Sequence, residues 1–77
     1  MIDIKQLKPE DVGRWVAYTT PHGIAERGRI KWWNDTYIFI VYHCDDNWDN
    51  FHDYTAAATR PEELTFIKEN HNDKSND

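Results

Sequence analysis

Cysteine is almost absent from this chain: Cys44 is the only one in 77 residues. A lone cysteine excludes an internal disulfide, so packing alone must hold the fold, and the lack of cystines fits a reducing compartment. Long apolar runs are missing too. No stretch approaches the ~18 consecutive apolar residues that a membrane span requires, so no membrane partner is expected. The opening "MIDIKQLKPED" has neither the charged start nor the apolar stretch of a secretory signal, and the expectation is a cytoplasmic chain. Cations are outnumbered, with nine Lys and Arg against fourteen Asp and Glu and a net charge of −5. That balance weighs against a general nucleic-acid binder, whose affinity comes from neutralising phosphates, but it leaves room for a local basic patch. There is no Ser or Cys elbow, no glycine-rich phosphate loop and no HExxH pair. No enzyme is therefore expected.

What the chain does have is rings. Aromatic residues make up 14% of it, with four Trp and four Tyr. A single domain of this size is close to the lower limit for a self-sufficient core, and a few bulky rings suit the centre of a small barrel. It has too little interior for a two-lobed enzyme with a deep cleft.

Along the chain, "KPEDVG" reads as a short turn feeding a first strand, "RWVAY" (14–18). "TTPHG" (19–23) is a breaker cluster and a loop. In "AERGRIKWW" (25–33) a period of two places Ile30 and Trp32 on a core face and the basic row Arg27, Arg29 and Lys31, ending in Trp33, on the other. Gly28 marks a bulge or sharp bend. "ND" (34–35) reads as a two-residue hairpin turn, and "TYIFIVYH" (36–43) as a central strand covered on both faces. "YTAAAT" (54–59) is a short strand, "RPEEL" (60–64) a single helical turn and "LTFI" (64–67) the last strand. Residues 68–77, "KENHNDKSND", contain nothing apolar and are expected to form a disordered tail.

This order of elements resembles the SH3-like barrel, in the broad sense that includes Tudor and KOW domains. The resemblance covers roughly residues 7 to 67 and is carried by "VGRWVAY", "RGRIKWW-ND-TYIFIVY" and "YTAAATRPEELTFI". It implies an all-β, five-stranded SH3-like barrel over residues 1–67, with one helical turn before the last strand. The fold hosts many activities and names none. The same stretches are similar to a group of short proteins of bacterial viruses and prophages that carries no established activity. That similarity implies a phage accessory protein working in the cytoplasm of the bacterial host.

The most unusual segment is "HCDDNWDNFHDY" (43–54), which holds four aspartates, three aromatics, two histidines and the cysteine. His43, Cys44, Asp45, Asp46, Asp49 and His52 are all metal-ligand types. Zinc, however, wants paired Cys/His units, and calcium loops usually turn on a Gly that is missing here. No metal and no cofactor are expected. Trp33, Tyr37, Trp48, Phe51 and Tyr54, flanked by Asp45, Asp49 and Asp53, supply the ingredients of a cation cage, but a barrel this small needs most of its rings for the core. Cys44 with His22, His43, His52 and His71 offers a nucleophile and bases without any supporting motif.

Two binding readings remain. In the first, the segment is a structured acidic loop with Trp48 and Phe51 partly packed. It presents Asp45, Asp46, Asp49 and Asp53 to a host protein, since acidic rims steer binding to basic partners. The alternative is a nucleotide or small-anion sequestering protein that uses Arg27, Arg29, Lys31 and a ring such as Trp33. A nucleic-acid-binding barrel ranks third. Charge segregation between the loop and the strand also allows a homodimer, loop of one copy to strand of the next.

Overall fold

Runs of β-branched and aromatic residues separated by Asx, Pro and Gly turns produce strands through most of the chain. The structure is a computed structural model describing residues 1–67. The expected tail lies outside these residues. Five strands form: β1 (Trp15–Thr20), β2 (Gly23–Trp33), β3 (Ile38–Val41), β4 (Ala57–Thr59) and β5 (Leu64–Phe66). All neighbours are antiparallel, in the order β4-β3-β2-β1-β5. The fold is thus mostly β, with one five-stranded sheet. β4 and β5 are its two edges and are not paired with each other, so the sheet stays open along this seam.

The eleven-residue β2 organises the sheet. Its first part pairs with β1 and its last part with β3, and Arg29 is paired on both sides, with Trp15 and Val41. At this handover the strands come very close. A Cβ on Gly28 would lie 2.5 Å from both Ile40 Cγ2 and the Val41 carbonyl oxygen. Only glycine fits this close approach, and no register shift of the ladder falls at Gly28 itself.

The bulge itself falls elsewhere. Ile30 faces Ile40, but Trp32 faces Phe39 and Trp33 faces Ile38, so Lys31 is an extra residue in the ladder. One inserted residue reverses the side-chain alternation beyond it. Trp33 therefore packs against the core, whereas Trp32 is 51% exposed and stacked on Trp33 with ring centroids 4.6 Å apart. The expected faces of these two tryptophans are exchanged.

Two smaller expectations shift as well. The middle strand of the sheet is β2 rather than β3. The β2–β3 turn is centred on Asp35 and Thr36, with Asn34 Oδ1 accepting from the backbone N–H groups of Thr36 (2.8 Å) and Tyr37 (2.7 Å). The expected turn before the last strand forms as a 3-10 turn, Pro61–Glu63, and further 3-10 turns lie at Ile4–Gln6, Pro9–Asp11 and Trp48–Asp53.

Buried side chains fall into two clusters. Ile2, Val16, Ile30, Ile38, Ile40 and Leu64 fill one face of the sheet. Val41, Cys44 and Phe51, bordered by Val12, Trp48, Tyr54 and Ala56, form a second, smaller core beneath residues 44–56. The alternation of β3 feeds both, Ile38 and Ile40 on one side and Val41 on the other, which is why its sequence is apolar throughout.

Candidate functional site

The acidic segment begins with a tight turn. Asp45 and Asp46 both adopt positive φ, 53° and 64°, and the Asn47 N–H donates to the Cys44 carbonyl at 2.8 Å. Two successive left-handed residues turn the chain at once, and Asp is among the few side chains that tolerate this. The turn puts Cys44 inside, 2% exposed, and both carboxylates outside. A 3-10 segment follows, Trp48–Asp53, broken at Asn50. It buries Phe51 and lays Trp48 against Trp15, 4.5 Å between ring centroids. Asp49 and Asp53 remain exposed.

The strand beneath holds this segment down. Arg29 Nε donates to the Gly13 carbonyl at 2.7 Å, and one terminal nitrogen donates to the Trp48 carbonyl at 3.0 Å. Its guanidinium also lies over the Phe51 ring, 4.6 Å from the centroid. Lys31 Nζ donates to the Tyr54 carbonyl at 3.0 Å. Two cations of the basic row thus bond carbonyls at either end of the 3-10 segment, and the one at Tyr54 lies at the C-terminal end, where helical carbonyls lack a partner of their own. The two candidate regions, acidic loop and basic strand, are one assembly. Arg27 alone of the row is exposed, and Trp33 is turned to the core. Arg14, on the neighbouring segment, stands apart from this row, bonding Asp11 at 3.1 Å and stacking 3.8 Å over Phe66.

On the outer surface the four aspartates meet no cation among the described residues. Among the described residues, ion pairs join Arg14 to Asp11, His43 to Glu26 and Arg60 to Glu62, and none engages Asp45, Asp46, Asp49 or Asp53. The other combinations weighed from the sequence do not assemble. Among the described residues no three His, Cys, Asp or Glu side chains gather as a metal set. Cys44 is buried, while His43 is exposed and bonded through Nε2 to Glu26 at 2.7 Å. The five rings considered for a cage are dispersed, with Trp33 in one core and Trp48, Phe51 and Tyr54 in or around the other.

A cleft absent from the sequence reading does exist. It is walled by Tyr18, Tyr37 and Tyr42, with Glu26, Arg60, Glu63 and the three residues of β4 around them. Tyr18 and Glu26 are direct cross-strand partners in the β1–β2 hairpin, the one part of it that hairpin pairing alone makes visible. Its other walls come from segments distant in sequence.

No family model, no curated protein and no solved structure matches the chain, so the site stands on its own geometry. No helix among the described residues is long and apolar enough to cross a membrane.

Proposed function

We propose that the protein is a non-enzymatic SH3-like barrel that docks on a basic host protein through Asp45, Asp46, Asp49 and Asp53. The observation that carries this reading is the contrast between the two sides of residues 44–54. Inward, the backbone is fastened by Arg29 and Lys31 and the rings of Trp48 and Phe51 are packed. Outward, the carboxylates meet no cation of the described chain. A charged edge held rigid before binding loses little conformational freedom on association, and its field steers an oppositely charged partner. Trp48 and Phe51 act in this reading as the buttress rather than as contacts. The strand order with a turn before β5 supports the SH3-like barrel, the two edges being linked by Arg60–Glu63. The phage-type accessory role in the host cytoplasm rests on the sequence resemblance.

The nucleotide reading has less support. Arg29 and Lys31 already bind carbonyls of their own chain, which leaves Arg27 as the cation of that row with no bonded partner among the described residues. The test is capture from a bacterial lysate by the wild type and by a variant carrying Asp45→Lys and Asp49→Lys. A host protein retained by the first and lost by the second supports docking through this edge. Equal capture by both removes it.

A further inference from the structure

The tyrosine cleft lies at the seam where β4 and β5 leave the sheet open. Tyr18 on β1 and Tyr42, just after β3, meet edge to face with ring centroids 6.5 Å apart. The Thr59 hydroxyl donates to the Ala57 carbonyl at 3.2 Å, so the Tyr42 hydroxyl, 2.9 Å from Thr59 Oγ1, donates in turn. This chain of bonds anchors the Tyr42 ring. The cleft measures about 280 Å³. Small-molecule sites usually run from about 300 to 1,000 Å³, so this one suits a side-chain head group better than a nucleotide.

Its electrostatics favour a cation. Two carboxylates, Glu26 and Glu63, line it. Glu26 has only the exposed His43 as an ion-pair partner, and Glu63 has none among the described residues. Arg60 sits on the rim but is turned onto Glu62, with Nε and a terminal nitrogen both 3.3 Å from one oxygen. Burial raises the Tyr42 phenol above its ordinary value, and the negative charge of Glu26 and Glu63 adds to the effect. The carboxylates that disfavour a phenolate there favour a positive group beside the same ring. Of the available cations, a guanidinium fits best: it is planar, weakly hydrated and stacks on aromatic faces. The chain itself uses this contact at Arg14 over Phe66 and at Arg29 over Phe51.

We propose that the cleft takes the guanidinium of an arginine on a partner protein, seated among Tyr18, Tyr37 and Tyr42 and paired with Glu26 and Glu63. The proposal rests on the docking reading for its source of arginine, because Tyr42 also walls the neighbouring depression that reaches Asp45 and Asp46. Tyr42 is common to the cleft and to that depression, which makes the two adjacent on the surface.

The test is an NMR titration of the full chain with N-acetyl-arginine amide, beside its neutral isostere N-acetyl-citrulline amide and the lysine counterpart. The expected result is saturable shifts of the Tyr18, Tyr37 and Tyr42 ring signals with arginine, none with citrulline, and affinity lower by about three-fold or more with lysine. Glu63→Gln should weaken arginine binding several-fold, and Asp45→Lys with Asp49→Lys should leave it intact. Shifts that stay linear in concentration, or that citrulline reproduces, overturn the cation site. Lysine binding as tightly as arginine overturns the guanidinium assignment. Because the probe is a capped arginine and not a host protein, the cleft can fail while host capture depends on Asp45 and Asp49, and the reverse.

Discussion

The guanidinium of Arg29 lies 4.6 Å from the centre of the Phe51 ring and bonds the Trp48 carbonyl three residues earlier. A side chain on β2 thereby fixes the acidic segment. Arg29→Ala removes two charge-assisted hydrogen bonds and the stacking, and leaves the Gly13 and Trp48 carbonyls without this donor. A loss of about 3 kcal/mol is expected. Arg29→Lys should recover only part of it, since an ammonium cannot serve both carbonyls and cover the ring. Urea denaturation of the three proteins checks this. Equal stability of the alanine variant and the wild type removes the buttress.

Gly28→Ala tests the close approach at the strand handover. The added methyl meets the Ile40 side chain and the Val41 carbonyl, and a backbone oxygen cannot move aside cheaply. Destabilisation of roughly 3 kcal/mol is expected from the overpacking, read as a drop in the thermal midpoint. An unchanged midpoint would show that the strands are farther apart than described.

Exchanging each tryptophan of the pair in turn tests the bulge at Lys31. Trp33→Ala empties space beside the core and should cost about 3 kcal/mol, whereas Trp32→Ala, on the exposed side, should cost less than half of that. The reverse ranking would restore the unbroken alternation.

The positive φ of Asp46 gives a prediction of the opposite sign. Asp46→Gly relieves about 1 kcal/mol of backbone strain, offset in part by the greater freedom of glycine in the unfolded chain. A net gain near 0.5 kcal/mol, or about 2–4 °C, is expected in a calorimetric scan. A fall in the midpoint would mean that the Asp46 carboxylate stabilises the turn more than its conformation costs.

Asp11 makes the fold acid-sensitive. The Lys8 backbone N–H and the Arg14 guanidinium both bond its carboxylate and hold its pKa below the ordinary value, the former being the stronger cause. A depressed carboxylate contributes stability above its unfolded pKa and loses it as pH falls through the folded one. The wild type should therefore lose stability on acidification below about pH 4. Asp11→Asn should show a shallower slope in that window. Parallel slopes from pH 5 to pH 2 would count against it.

Much of the architecture was legible because it depends on local chemistry. The run "YIFIV", β-branched and aromatic residues throughout, favours the strand that forms as β3, and Pro61 with two following acids marks the turn before β5. The acidic segment was legible for a similar reason, since aspartates face water while Phe51 does not. The bulge was not, because Lys31 carries no signal that distinguishes an inserted residue from a paired one. Nor was the role of Arg29. Period-two alternation assigns it to an outer face, but cannot tell that residues 44–54 fold back over that face. The tyrosine cleft was hidden most deeply, as its walls come from β1, β2, β4 and the connections around them.

The pairing of β1 with β5 also bears on how the chain is made. Val16 meets its partner Phe66 only after about fifty further residues have been added, and such distant contacts are entropically slow to form. During synthesis the β1–β2–β3 ladder can assemble first, yet the flank of β1 stays bare until Leu64–Phe66 have cleared the ribosome. For that interval the nascent sheet exposes an unpaired edge and an unfilled Leu64 position in its core. A chain released short of residue 66 would keep that edge open and be the form most prone to aggregate.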